Sequence, residues 1–151
     1  MAEEYNLIPV VEIPDFVEEG SEDEDVEYHP SVSWDLSKGD FALNALGVAP
    51  QSDGVEAYKI WCRKAVATER FDSLAYSDGL GTEMEAARAQ PDRGSVELAI
   101  QRTIEEALMG NPRTISVENF LFTWETDYVR VSFLVNAVND VEFELEIDVD
   151  Q

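Results

Sequence analysis

The run Ala107-Leu108-Met109-Gly110-Asn111-Pro112-Arg113-Thr114-Ile115-Ser116-Val117 sets a boundary that any fold of this chain must respect. Before it, apolar residues recur with a helical period; after it, they alternate as in a strand. Gly110 offers the left-handed conformation that commonly ends a helix. Pro112 has no N–H to continue the helix and turns the preceding residue toward extended geometry. Arg113 follows at the turn from helix to strand. It is one of 10 basic residues set against 33 acidic ones, for a formal charge of −23. A cation on so rigid a joint serves either as a clamp on a carboxylate or as a contact to a neighbour.

On the N-terminal side, Val96, Ala99, Ile100, Thr103, Ile104, Ala107 and Leu108 form one apolar stripe and predict a helix over Ser95–Met109. An earlier helix is predicted over Val55–Phe71 from Val55, Tyr58, Trp61, Cys62, Ala65 and Val66, with Asp53 as N-cap. A glycine loop, Leu74–Gly81, and a short helical turn over Thr82–Arg88 separate the two. On the C-terminal side three strands are expected, over Thr114–Thr123, Tyr128–Val138 and Val141–Val149. The last alternates without a break, Val141, Phe143, Leu145, Ile147 and Val149 against Glu142, Glu144, Glu146 and Asp148. Glu125–Asp127 and Asn139-Asp140 supply the turns.

The N-terminal part divides in two. Residues 1–30 read as an extended acidic arm: no Lys or Arg occurs from Met1 to Tyr28, and prolines punctuate the apolar piece Leu7–Pro14. Such a segment cannot bury enough apolar surface to fold alone; the apolar piece favours docking on a partner or on the chain's own sheet. From Ser31 onward, Ser31–Leu36 and Phe41–Ala45 around Ser37–Asp40 predict a β-hairpin, and Pro50–Gly54 a second turn. The expected architecture is α+β: residues 31–151 form one domain, its two main helices packed on an antiparallel sheet of the N-terminal hairpin plus the C-terminal meander.

Composition narrows the function. So acidic a chain is unsuited to bare nucleic acid, whose phosphates call for Lys and Arg, and to an anionic membrane surface. It suits a basic protein partner. The one cysteine, Cys62, lies within an apolar helical pattern and reads as a small buried hydrophobe. The N-terminus lacks the features of a signal peptide and no apolar run spans a bilayer, so the expected compartment is a reducing cytoplasm or something assembled in it. His29, the only histidine, lies in the acidic arm, which leaves triad chemistry and a zinc site without support. No catalytic residue, metal or cofactor is expected. Glu69, Glu83 and Glu85 are the only carboxylates worth naming as general acids, and exposed or ion-paired roles suit them better.

The binding reading is stronger. A regularly alternating strand at the end of a chain is expected at a sheet edge, where it templates the addition of another strand. Its acidic face repels a second copy and welcomes a basic strand. The candidate interaction residues are therefore Val141, Phe143, Leu145, Ile147 and Val149, together with Asn111, Pro112 and Arg113 at the joint. A solvated acidic face is the plainer account of Glu142, Glu144, Glu146 and Asp148.

Several segments, in order and spacing, resemble the small baseplate wedge or sheath-initiator proteins of contractile phage tails, in the branch of PBSX-like prophages. They are Tyr28–Phe41 as entry hairpin, Asp53–Trp61 with Ala67–Arg70 as first helix, Leu74–Gly81 as glycine loop, and Asn111–Val117 as the joint. The resemblance covers Tyr28 to Ile147. It implies a structural protein whose sheet accepts strands from the tail sheath. The other implied partners are the tail tube and the wedge and hub proteins, with six copies in a ring at the baseplate of a virion or tail particle assembled in the bacterial host cytoplasm. Family members usually carry an acid where this chain has Asn111. The wider family is sometimes labelled lysozyme-like. That leaves a peptidoglycan-cleaving enzyme using Glu69 or Glu85 as one alternative, and an acidic protein-binding regulatory module as another.

Overall fold

The computed structural model describes residues 27–150 apart from 36 and 74. The apolar piece 7–14 and the acidic run up to residue 26 lie outside the described residues. The described chain begins with four two-residue strands, β1 (Ser31–Val32), β2 (Trp34–Asp35), β3 (Asp40–Phe41) and β4 (Gln51–Ser52). Helices α1 (Gly54–Ala67), α2 (Met84–Arg88) and α3 (Arg93–Met109) follow, and then strands β5 (Thr114–Trp124), β6 (Tyr128–Ala137) and β7 (Val141–Asp150). The α+β class read from the sequence is the one observed.

The meander is antiparallel in the order β5-β6-β7. Its inner face presents Val129, Val131, Phe133 and Val135 of β6 and Leu145 and Val149 of β7 to the helices, all buried. Opposite them lie Tyr58, Cys62, Ala65 and Val66 of α1 and Val96, Ile100, Ile104 and Leu108 of α3, which complete one core. Trp124 pins α3 to β5: its indole N–H donates to Glu97 at 2.7 Å, and the Arg93 guanidinium lies over its ring at 4.8 Å.

Both long helices begin at acidic caps. The Asp53 carboxylate accepts from Glu56 N–H at 2.8 Å and the Asp92 carboxylate from Ser95 N–H at 3.0 Å. The second helix therefore starts at Arg93, two residues before the expected Ser95. Asp53→Ala is expected to lower the unfolding free energy by about 1 kcal/mol in urea titration, because the amides of the first turn lose their acceptor.

Four expectations are corrected. The first helix stops at Ala67, not Phe71, because a parallel bridge between Glu69 and Thr82 takes over the backbone: Arg70 N–H donates to Thr82 O at 2.7 Å and Thr82 N–H to Thr68 O at 2.9 Å. The hairpin of β2 and β3 forms as expected but does not join the meander. The segment read as a second turn contributes β4, which pairs with β1 in a ladder of its own. Gly110 is right-handed, with φ −65° and ψ −10°, so the turn after α3 rests on Asn111 and Pro112 rather than on a left-handed glycine.

Candidate functional site

The joint after α3 is built by Asn111. Its amide N–H reaches back to Leu108 O at 3.2 Å, while its side-chain oxygen accepts from Arg113 N–H at 2.9 Å. The Asn111 carbonyl accepts from Thr114 N–H at 3.0 Å, so the turn opens directly into β5. An asparagine closing its own turn needs no neighbouring cation. The Arg113 carbonyl accepts from the N–H of Val138, the residue after β6, at 2.9 Å. The half-buried Arg113 side chain donates from Nε to the Glu27 carbonyl at 2.6 Å.

That bond brings the entering chain into the joint. Tyr28, counted with the arm in the sequence reading, donates its hydroxyl proton to Val138 O at 2.7 Å, and its ring lies 5.5 Å from that of Tyr58. The Tyr58 and Thr114 hydroxyls share a buried hydrogen bond of 2.7 Å. Burial raises the Tyr58 hydroxyl far above its ordinary pKa and raises Tyr28 as well. Both are therefore neutral and serve as hydrogen-bonding struts. The joint thus ties together α3, β5, the end of β6, helix α1 and the incoming chain. Sequence reasoning named Asn111, Pro112 and Arg113 at this joint; it placed Tyr28 in the arm and entry hairpin, Tyr58 on the first helix and Thr114 in a strand, without bringing them to the joint. The one available signal was Gly54, an unusual first residue for a helix capped by Asp53.

The strand residues occupy the far border of the sheet. Among the described residues β7 is an edge strand, paired with β6 in unbroken register from Ala137–Val141 to Tyr128–Asp150. Among the described residues the backbone of Val141–Val149 hydrogen-bonds only toward β6. Val141, Phe143, Leu145, Ile147 and Val149 share the inner face as expected. Phe143 meets Tyr58 edge to face at 5.8 Å, which connects the first half of β7 to the joint. Ile147 and Val149 lie at the other end, beside Thr82 and Met84, the first residue of α2. The candidate residues therefore form a border with the joint at one end, not a single cluster.

The opposite border differs. β5 has register shifts at Thr114/Ser116 and Glu118/Leu121, and Asn119 is left-handed at φ 57°. Such irregularities twist an edge away from pairing. The outer face of β7 is also uneven in charge. Arg130 on β6 forms two hydrogen bonds to Asp148, at 2.8 and 3.2 Å, with Glu146 at 3.4 Å. Those bonds hold the Asp148 carboxyl below its usual pKa. Among the described residues Glu142 and Glu144 have no such cation, so the negative charge concentrates toward the Asn139-Asp140 turn.

The groups named as possible acids have structural tasks. The Glu69 carboxylate accepts from Met84 N–H at 3.1 Å and Glu85 N–H at 3.4 Å, capping α2, whose own N-cap Glu83 provides no side-chain bond. Glu83 pairs with Arg70 at 3.3 Å, and Glu85 is exposed. Cys62 is buried as expected, and burial pushes its thiol up to about 12, too high for a thiolate at neutral pH. Among the described residues no group of three His, Cys, Asp or Glu could hold a metal ion, and no helix is long and apolar enough to cross a membrane.

No curated protein sequence matches the chain. Residues 31–142 match the family described as contractile injection system sheath initiator, from the first strand through the start of β7. That match spans most of the chain and every element of the joint from α1 onward. The sequence resemblance and the family match agree on the same structural component of a tail-like particle: this chain belongs to the sheath initiator family of contractile injection systems.

Proposed function

We propose that this protein starts the sheath by accepting a sheath strand along the outer edge of β7. The observation that carries this reading is the contrast between the two borders of the meander, β7 regular over its ten residues and β5 interrupted twice. A regular border offers an incoming chain a full ladder of main-chain bonds, and Val141, Phe143 and Ile147, only partly buried, leave apolar surface for its side chains. Glu142 and Glu144 favour a basic strand at the turn end. In this reading six copies form a ring around the tail tube at the baseplate, with wedge and hub proteins as further neighbours. Arg113 holds the joint that orients the sheet and reaches the wedge. The particle assembles in the bacterial host cytoplasm.

Cryo-EM of the assembled particle tests the reading directly. An added strand, hydrogen-bonded to β7 and belonging to the sheath subunit, is the expected result. If the β7 edge faced solvent in the assembled particle, the mechanism would be wrong. Reversing charge with Glu142→Lys and Glu144→Lys should reduce extended sheaths by about tenfold in reconstitution, since like charges across an interface disfavour docking. Normal yield would remove the electrostatic part of the proposal.

A further inference from the structure

Three cations on α1 have no carboxylate partner among the described residues. Lys59, Arg63 and Lys64 fall within about one and a half turns of α1, Lys59 and Arg63 as i, i+4 neighbours and Lys64 further round the helix, and none forms an ion pair among the described residues, whereas Arg70, Arg102 and Arg130 each sit on carboxylates. They stand out in a chain with 33 acids and 10 bases. The cations line or flank aromatic surface. Lys64 Nζ stands 3.5 Å over the Trp34 ring, and Lys59 Nζ 5.6 Å over Phe143. Beside them an open groove of roughly 540 Å³ is lined by Trp34, Trp61, Tyr76 and Leu80 together with Arg63 and Lys64.

We propose that this basic, aromatic groove seats the chain's own acidic segment, Glu18–Asp25. Charge complementarity carries the proposal: seven carboxylates fall between Glu18 and Glu27, and no Lys or Arg occurs from Met1 to Tyr28. Reach agrees with it. Arg113 holds Glu27, and Tyr28 lies against Gly54, the first residue of α1. Lys64 is ten positions further along that helix, about 15 Å at ~1.5 Å per residue. An extended chain covers this distance in about five residues at ~3.3 Å each. Residues 18–25 thus fall within range of all three cations.

The sequence supplies a clean test, because Lys38, Lys59 and Lys64 are its only lysines. The full chain is treated with a carbodiimide at low salt, which joins lysine amines to nearby carboxylates, and the links are mapped by mass spectrometry. The expected links run from Lys59 and Lys64 to residues 18–25. The Lys38–Asp35 pair, 3.5 Å apart, serves as internal control. Arg63→Glu should lower the Lys64 yield by about fivefold, and salt near 1 M should suppress both links through screening. Links from Lys59 and Lys64 only to acids elsewhere, or none while the control forms, would overturn the proposal. Mixed ¹⁴N and ¹⁵N protein decides the source: links between labelled and unlabelled chains would assign the groove to a second copy and overturn docking within one chain.

Discussion

Phe133→Ala lowers the unfolding free energy by about 3–5 kcal/mol, the usual cost of emptying a buried aromatic site. Phe133 is 1 % exposed at the middle of the central strand, opposite Leu145 of β7 and stacked on Phe120 at 5.3 Å. It stands where the sheet meets the helices, so its loss is felt on both sides of the core. A domain of this size is stable by only about 5–15 kcal/mol in total, and the variant therefore sits near the unfolding threshold at 37 °C. Leu121→Ala provides the comparison. Leu121 is 67 % exposed on the outer side of β5, and its removal should stay within about 0.5 kcal/mol. Urea titrations of the two variants check both values. A cost below about 1 kcal/mol for Phe133→Ala would mean that the site collapses freely, contrary to a single shared core.

Gly54→Ala has an effect whose sign separates two arguments. Gly54 opens α1, and helix propensity alone favours alanine over glycine by up to about 1 kcal/mol. The structure says the opposite. A Cβ on Gly54 would overlap the Tyr28 carbonyl and approach the Tyr28 Cβ to 2.7 Å. Tyr28 is held on its other side by Val138 and Tyr58, so it cannot retreat without losing that packing. The variant should be destabilised by about 1–3 kcal/mol, and a Glu-specific protease should cleave faster after Glu27 as the strap lifts. A stabilised variant with unchanged cleavage would show that Tyr28 does not cross α1 as closely as this. Tyr28→Phe, which loses only the bond to Val138, should leave cleavage close to wild type.

The same two sites show what the sequence could and could not reveal. The meander was legible because its pattern is local: Val129, Val131, Phe133 and Val135 face inward in strict alternation, as do the odd residues of β7. The caps at Asp53 and the stripe of α3 are local too. What stayed hidden depends on residues far apart in the chain. Tyr28 meets Val138 across 110 positions, and Tyr58 meets Thr114 across 56. No periodicity signals such pairs, and Tyr28 at the end of an acidic run looked like part of the arm. The end of α1 was misplaced for a similar reason, since the Glu69–Thr82 bridge overrides a helical pattern that continues to Phe71. Arg113 was singled out as a clamp on a carboxylate or a contact to a neighbour, and its Nε donates to a backbone carbonyl, a bond that no count of charges could indicate.

The contrast between β5 and β7 has a counting consequence. On the proposed reading, in which β7 accepts a sheath strand and the interrupted β5 does not, each unit has a valence of one for strand addition. Copies of such a unit would not polymerise through their sheets, and growth would require a different subunit that brings its own donor strand and its own acceptor. A stack begun in that way would have a defined first layer and a single direction, set by where Asn119 breaks one ladder while Val141–Val149 keeps the other whole.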